Sequence, residues 1–110
     1  MKSKYRLKKN YQYNYVYKHA QSVADKNFVL LFCRSNGETP QAGFSISKKF
    51  GNAVRRNRIR RQLKAAVSVH MPNVKPHYHL VFVPRRSESY LYADVETSVA
   101  RLLDKSGLLK

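Results

Sequence analysis

Between Ala53 and Val67 the apolar residues recur at helical spacing inside the most basic stretch of the chain, and this combination limits the possible folds more than any other feature. Ile59, Leu63, Ala66 and Val67 stand at i, i+4, i+7 and i+8, the period of a helix with one stripe against a core. With Leu63 at the centre of that stripe, Asn57, Arg58, Arg61 and Lys64 project to the far side and Arg55 lies at its margin. Arg56 projects nearer the buried side in the first turn, where packing at a sheet edge would hold its guanidinium in place. A helix with one cationic face and one apolar stripe needs a second layer behind it.

The flanking segments supply that layer. Phe28 to Cys33 is a run of strand formers, and Arg34 to Gln41 contains Asn-Gly and Pro as turn signals. Gly43 to Ser47 then alternates, which predicts a hairpin with Phe44 and Ile46 facing the core and Ser45 and Ser47 facing outward. One sheet face would be open to a ligand. Met71-Pro72 ends the long helix. His77 to Pro84 reads as a strand, and Leu91, Val95, Val99, Leu102 and Leu103 mark a last amphipathic helix that Gly107 stops. The expected class is α+β, with helices against a small mixed sheet, in one domain spanning residues 1–110. The order is α-β-β-(β)-α-β-α, the bracketed strand being optional.

The N-terminal segment is ambiguous. Tyr11, Tyr13, Tyr15 and Tyr17 alternate, as in a half-buried strand. A helix instead places Tyr13, Val16, Tyr17 and Ala20 on one arc, with Tyr11 and Tyr15 as a second pair elsewhere. Asn10 as N-cap and the lack of Gly or Pro through Ala20 favour a short helix, but local periodicity leaves both open.

Charge narrows the partner. Twenty-two Lys and Arg against six Asp and Glu give +16, which self-repels unless a polyanion is near. No Asp or Glu occurs between Glu38 and Glu88, whereas a merely solvated helix face usually mixes signs. Arg binds two phosphate oxygens with its planar fork, Asn adds a donor and an acceptor, and Gly51 ahead of the helix allows close backbone approach. Nucleic acid is the expected partner. The single Cys33 precludes an intrachain disulfide and fits a reducing cytoplasm. The apolar run Phe28 to Cys33 is far below the roughly 20 residues of a membrane span, and no signal-type segment follows the basic Met1 to Lys9. A soluble cytoplasmic protein without membrane attachment is expected.

Little in the chain suggests catalysis by its own side chains. A two-metal nuclease needs carboxylates converging on ions roughly 4 Å apart. Asp25 and Glu38 flank the first strand, while Glu88, Asp94, Glu96 and Asp104 lie in or near the last helix. His77 and His79 would share a strand face, with His70 nearby in sequence, but they have no Cys or carboxylate neighbours and read as strand-edge and loop residues. His19 suits the C-terminal end of the first helix.

The stretch FSISKKFGNAVRRNRIRRQLK (Phe44 to Lys64), with Arg56-Asn57-Arg58 at its heart, closely resembles the signature of the protein subunit of bacterial ribonuclease P. The resemblance runs from Arg6 to Asn10 (RLKKN) through the last helix. It implies an α–β sandwich with a left-handed βαβ crossover. It also implies a partnership with a catalytic RNA, the two together removing the 5′ leader of precursor tRNA. The catalytic centre and its Mg²⁺ would then belong chiefly to the RNA, with no cofactor intrinsic to the protein. Independently of the resemblance, the free protein is expected to be monomeric. Contacts to the catalytic RNA would fall to Lys48, Lys49, Asn52, Arg56, Asn57, Arg58 and Arg61, joined by Arg55 and Lys64 on the same helix. The leader would lie in a cleft lined by Tyr13 and Tyr17, which implies a helix for the tyrosine segment, with Ser45 on the second strand. Leu31 stands in that cleft where relatives often carry an aromatic residue. The competing function is a structural RNA-binding protein of ribosomal or assembly type. A DNA-binding helix-turn-helix would need a scaffold helix before Ala53, where a strand and a Gly turn are expected instead.

Overall fold

A computed structural model describes residues 1–85 and 89–110; Glu88, among the scattered carboxylates, lies outside the described residues. Helix α1 (Asn10–His19) precedes strands β1 (Gln21–Ala24), β2 (Phe28–Arg34) and β3 (Gln41–Phe44). Helix α2 (Ala53–Ser68), strand β4 (Tyr78–Pro84) and helix α3 (Tyr92–Ser106) follow. The strands form one mixed sheet in the order β1-β2-β4-β3.

The tyrosine segment is a helix. Its N-cap is Lys9 rather than Asn10, and the Gln12 side chain accepts the Lys9 N–H at 3.1 Å. The additional strand does not follow the second one, where the bracketed strand was expected, but precedes Phe28: it is β1, a hairpin partner of β2 that Gln-Ser-Val-Ala, with only Val23 and Ala24 apolar, could not announce. Its turn is built by Asp25, whose carboxylate accepts the N–H groups of Asn27 at 2.8 Å and Phe28 at 2.9 Å.

The hairpin expected from Phe28 to Ser47 does not form. β4 lies between β2 and β3, antiparallel to the first and parallel to the second. The reason is burial. β4 carries Leu80, Val81 and Phe82, all fully buried, so it takes a central place with both faces covered. The Asn36-Gly37 segment therefore crosses beyond the end of β4, where the Ser35 N–H donates to the His77 carbonyl at 2.9 Å. β3 is also shorter than expected and stops at Phe44, although the Ser45 N–H still donates to Phe82 at 3.0 Å.

Strand alternation gives the sheet two apolar faces. Phe28, Leu30, Phe32, Leu80 and Phe82 meet Ile59, Leu63 and Val67 of α2 and Val95, Val99, Leu102 and Leu103 of α3 in the main core. Cys33 and Val81 face the other way, under Val16 of α1 and Leu7, with Tyr13, Leu31 and Val83 partly buried around them. α1 thus covers only part of its face. α3 ends at Gly107, whose φ of 77° provides the left-handed cap expected there.

Candidate nucleic-acid interface

The basic helix is held from below by its apolar stripe and at its start by local bonds. Asn52 caps it, accepting the Arg55 N–H at 3.0 Å. The Arg56 guanidinium is half-buried and donates to the Gly51 carbonyl at 3.0 Å, and the Arg55 guanidinium lies 5.7 Å from the Phe50 ring centre. Gly51 has a φ of 156°, and a Cβ there would meet the Arg55 side chain at 3.0 Å. Lys48, Lys49, Asn52, Asn57, Arg58 and Arg61 are exposed. Together they make a cationic ridge whose first turn is fixed rather than loosely solvated. Lys64 departs from the expectation. It is half-buried, because the helix there turns its flank towards the N-terminal segment.

That flank links two areas which the sequence treats separately. Arg60 and Lys64 share a groove of about 150 Å³ with Arg6, Tyr13, Gly43 and Phe44. Arg60 also donates to Asn57 Oδ1 at 3.0 Å. Neither Arg6 nor Arg60 was among the residues picked from sequence. Arg60 stands at i+4 from Arg56, so it shares the more buried side, and that spacing was the available signal.

Tyr13 and Tyr17 fall on one face of α1 with ring centres 6.4 Å apart, but their settings differ. Tyr13 is half-buried, donates its hydroxyl to the Leu7 carbonyl at 3.3 Å, and brings the hydroxyl end of its ring against Gly43 of β3. A Cβ at that glycine would come within 2.6 Å of the ring, so any larger residue there would have to push Tyr13 aside. Burial pushes the Tyr13 pKa up, opposed in part by the Phe44 backbone N–H and, more weakly, by Arg60 and Arg6. Tyr17 is 48% exposed and free to receive a ring. Leu31, half-buried, is the Cα partner of Val81 across the sheet, and Val81 is in turn the partner of Gly43. Ser45, also half-buried, follows Gly43 by two residues just past the strand end. Tyr13 and Leu31 thus pack in the cluster beneath α1, Tyr17 stands exposed on the helix and Ser45 lies past the end of β3; of the four, Tyr13 lines the groove shared with Arg60.

Among the described residues no group of three or more His, Cys, Asp or Glu side chains converges. Asp25 is committed to its turn and to Arg101 at 3.4 Å. His77 precedes β4 with a φ of 68°, so it does not share a strand face with His79 as expected. Burial holds the His79 imidazole below its ordinary pKa and pushes the Cys33 thiol up. No helix among the described residues is long and apolar enough to cross a membrane.

A cationic ridge that continues through a groove lined by Arg6, Arg60 and Lys64 to the paired rings of Tyr13 and Tyr17 defines a basic α–β sandwich whose charge suits a polyanion. The ribonuclease P family model matches residues 1–107. The chain is similar to the ribonuclease P protein component of Clostridium novyi, at 36% identity over 98% of each chain. It is 35% identical to that of Oceanobacillus iheyensis over 100% of this chain and 93% of the relative. Among solved structures, the ribonuclease P protein of Staphylococcus aureus superposes with a TM-score of 0.87 at 29% identity, covering 96% of this chain and 98% of that one. The chain belongs to the ribonuclease P protein family.

Proposed function

We propose that the chain is the protein subunit of a ribonuclease P ribonucleoprotein, promoting endonucleolytic removal of the 5′ leader of precursor tRNA in the cytoplasm. The α2 ridge binds the catalytic RNA and the α1 cleft holds the leader. The observation that carries this reading is the continuity from Tyr13 and Tyr17 through Arg60 to the ridge, which lets one small protein touch both RNAs at once. Stacking on the paired rings holds unstacked leader bases without reading their sequence. The protein contributes position and charge. Bond cleavage and the Mg²⁺ that assists it belong to the RNA, whose phosphates are hard oxygen ligands suited to that ion. The free protein is a monomer, since a second copy would double a charge of +16.

Cleavage of precursor tRNA at low Mg²⁺ tests this, comparing catalytic RNA alone, RNA with protein, and protein alone. Cations of the protein offset the phosphate repulsion that Mg²⁺ otherwise screens, so RNA with protein cleaves where RNA alone does not. Robust metal-dependent cleavage by the RNA-free protein would overturn the assignment.

A further inference from the structure

The leader cleft uses one side of α1. On the other side stand Tyr11 and Tyr15, 68% and 52% exposed. They form one wall of a second groove of about 630 Å³, facing Arg34, Ser35 and Asn36 and bounded by Gln41 and His79. A further hollow of about 290 Å³ shares Tyr15 and Arg34 with it and extends to His19 and Tyr78. Aromatic contacts continue along this path. Tyr15 and His19 have ring centres 4.3 Å apart, and the Arg34 guanidinium lies 5.3 Å from the Tyr78 ring centre.

The Ser35 hydroxyl is buried in this wall and has no hydrogen-bond partner among the described residues. Buried polar groups are nearly always paired, and a rotation about χ1 would turn this hydroxyl into the groove to meet a polar ligand. The lining combines exposed rings, which accept any flat base, with hydroxyl, amide and imidazole groups that can meet base edges. Its charged member is Arg34, a phosphate ligand, and the chain as a whole is strongly cationic. The volume lies in the ordinary range of ligand sites, roughly 300–1,000 Å³.

We infer that this groove is a second site for unpaired ribonucleotides, which stack on Tyr11 and Tyr15 while Ser35, Asn36 and Gln41 hydrogen-bond their edges. The two clefts flank α1 on opposite sides, so this site stands independently of the leader reading. Its strand comes either from the catalytic RNA or from the distal part of an extended leader.

A short labelled oligouridylate provides the first test, read by fluorescence anisotropy on the full chain. The variant Tyr13→Ala/Tyr17→Ala removes the leader cleft yet retains binding, and adding Tyr11→Ala/Tyr15→Ala weakens what remains about tenfold, the scale of a lost stacking contact. Tyr15→Phe preserves the ring and restores its share. Both tyrosines are exposed, so an unchanged melting temperature shows that the fold is intact. Two further titrations locate the strand. Weaker assembly of Tyr11→Ala/Tyr15→Ala with the catalytic RNA assigns it to that RNA, and weaker holoenzyme binding only of precursors with extended leaders assigns it to the substrate. If the quadruple variant binds oligouridylate as well as the Tyr13→Ala/Tyr17→Ala variant, or if neither titration moves, the site is refuted. It is equally refuted if the Tyr11→Ala/Tyr15→Ala change alters only self-association in sedimentation. Loss of all oligouridylate binding in Tyr13→Ala/Tyr17→Ala alone would refute this site while leaving the leader cleft standing.

Discussion

Single side chains in the cleft and on the ridge differ in how firmly the fold holds them, and this sets what their removal does. Tyr17 is half-exposed and Tyr13 half-buried against Gly43. Tyr17→Ala therefore leaves thermal stability nearly unchanged, and Tyr13→Ala lowers it modestly. Each weakens holoenzyme binding of precursor tRNA with a leader of several nucleotides by roughly 1–3 kcal/mol, as expected for one stacked base. Binding of mature tRNA barely changes. Equal losses for both tRNA forms, or an equal loss from Tyr11→Ala with such a short leader, would contradict the cleft. On the ridge, Arg56→Ala and Arg58→Ala each weaken assembly with the catalytic RNA by on the order of 1–3 kcal/mol, as for a lost charge-assisted contact. Lys75→Ala, exposed and remote in sequence from the ridge, has a smaller effect in the same titration. Equal effects at all three would mean that diffuse charge drives binding.

At the scale of elements, the β1–β2 hairpin is the part that sequence patterning barely signalled, and its stability depends on Asp25. Burial disfavours the charged carboxylate. The N–H groups of Phe28 and Asn27, the Ser98 hydroxyl and Arg101 more than offset this, so the pKa sits below its ordinary value. The folded state thus binds fewer protons than the unfolded one, and the stabilisation is present above the usual value of 3.8 and lost as pH falls through the depressed one. His79 in β4 is also held below its usual 6.5 by burial, so stability begins to fall as pH drops under that value. Urea unfolding across this range shows both losses. His79→Gln removes the upper one and Asp25→Asn the lower, with Asp25→Asn also costing about 1–3 kcal/mol near neutrality. A pH dependence unchanged by either substitution would contradict the linkage.

Element types were largely legible because α2, α3 and β4 carry unbroken apolar periodicity. The pairing of β2 with β3 was misread because a turn signal such as Asn36-Gly37 reports only that the chain bends. Which strand takes the centre depends on burial summed over both faces, and that is a property of the assembled sheet. The exposure of Asn57, Arg58 and Arg61 was legible for a related reason, since they sit on one helix with a fixed period, whereas Lys48, Lys49 and Asn52 precede that helix and were named only through the family resemblance. The groove at Arg6, Arg60 and Lys64 joins segments far apart in sequence, and no local pattern encodes such a junction.

For the whole molecule, a charge of +16 on 110 residues opposes compaction, and any anion that binds the folded form alone stabilises it by mass action. Sulfate or pyrophosphate added at constant ionic strength therefore raises the thermal midpoint, pyrophosphate more than sulfate, and sodium chloride alone raises it less. A midpoint indifferent to both anions would show that the fold tolerates its own repulsion. The order of the strands has a further consequence during synthesis. β4, the strand that joins β2 to β3, is the last strand to leave the ribosome, after the whole of α2. Until Pro84 has emerged, β3 has no strand beside it in the sheet, only the bridge from Arg6 to Ala42, and the sheet consists of one hairpin beside an amphipathic basic helix without its core. Folding by such distant pairings is intrinsically slow. The nascent chain thus displays its cationic segment before its apolar surfaces are closed, and a polyanion that meets it then acts as a folding partner as well as a binding partner.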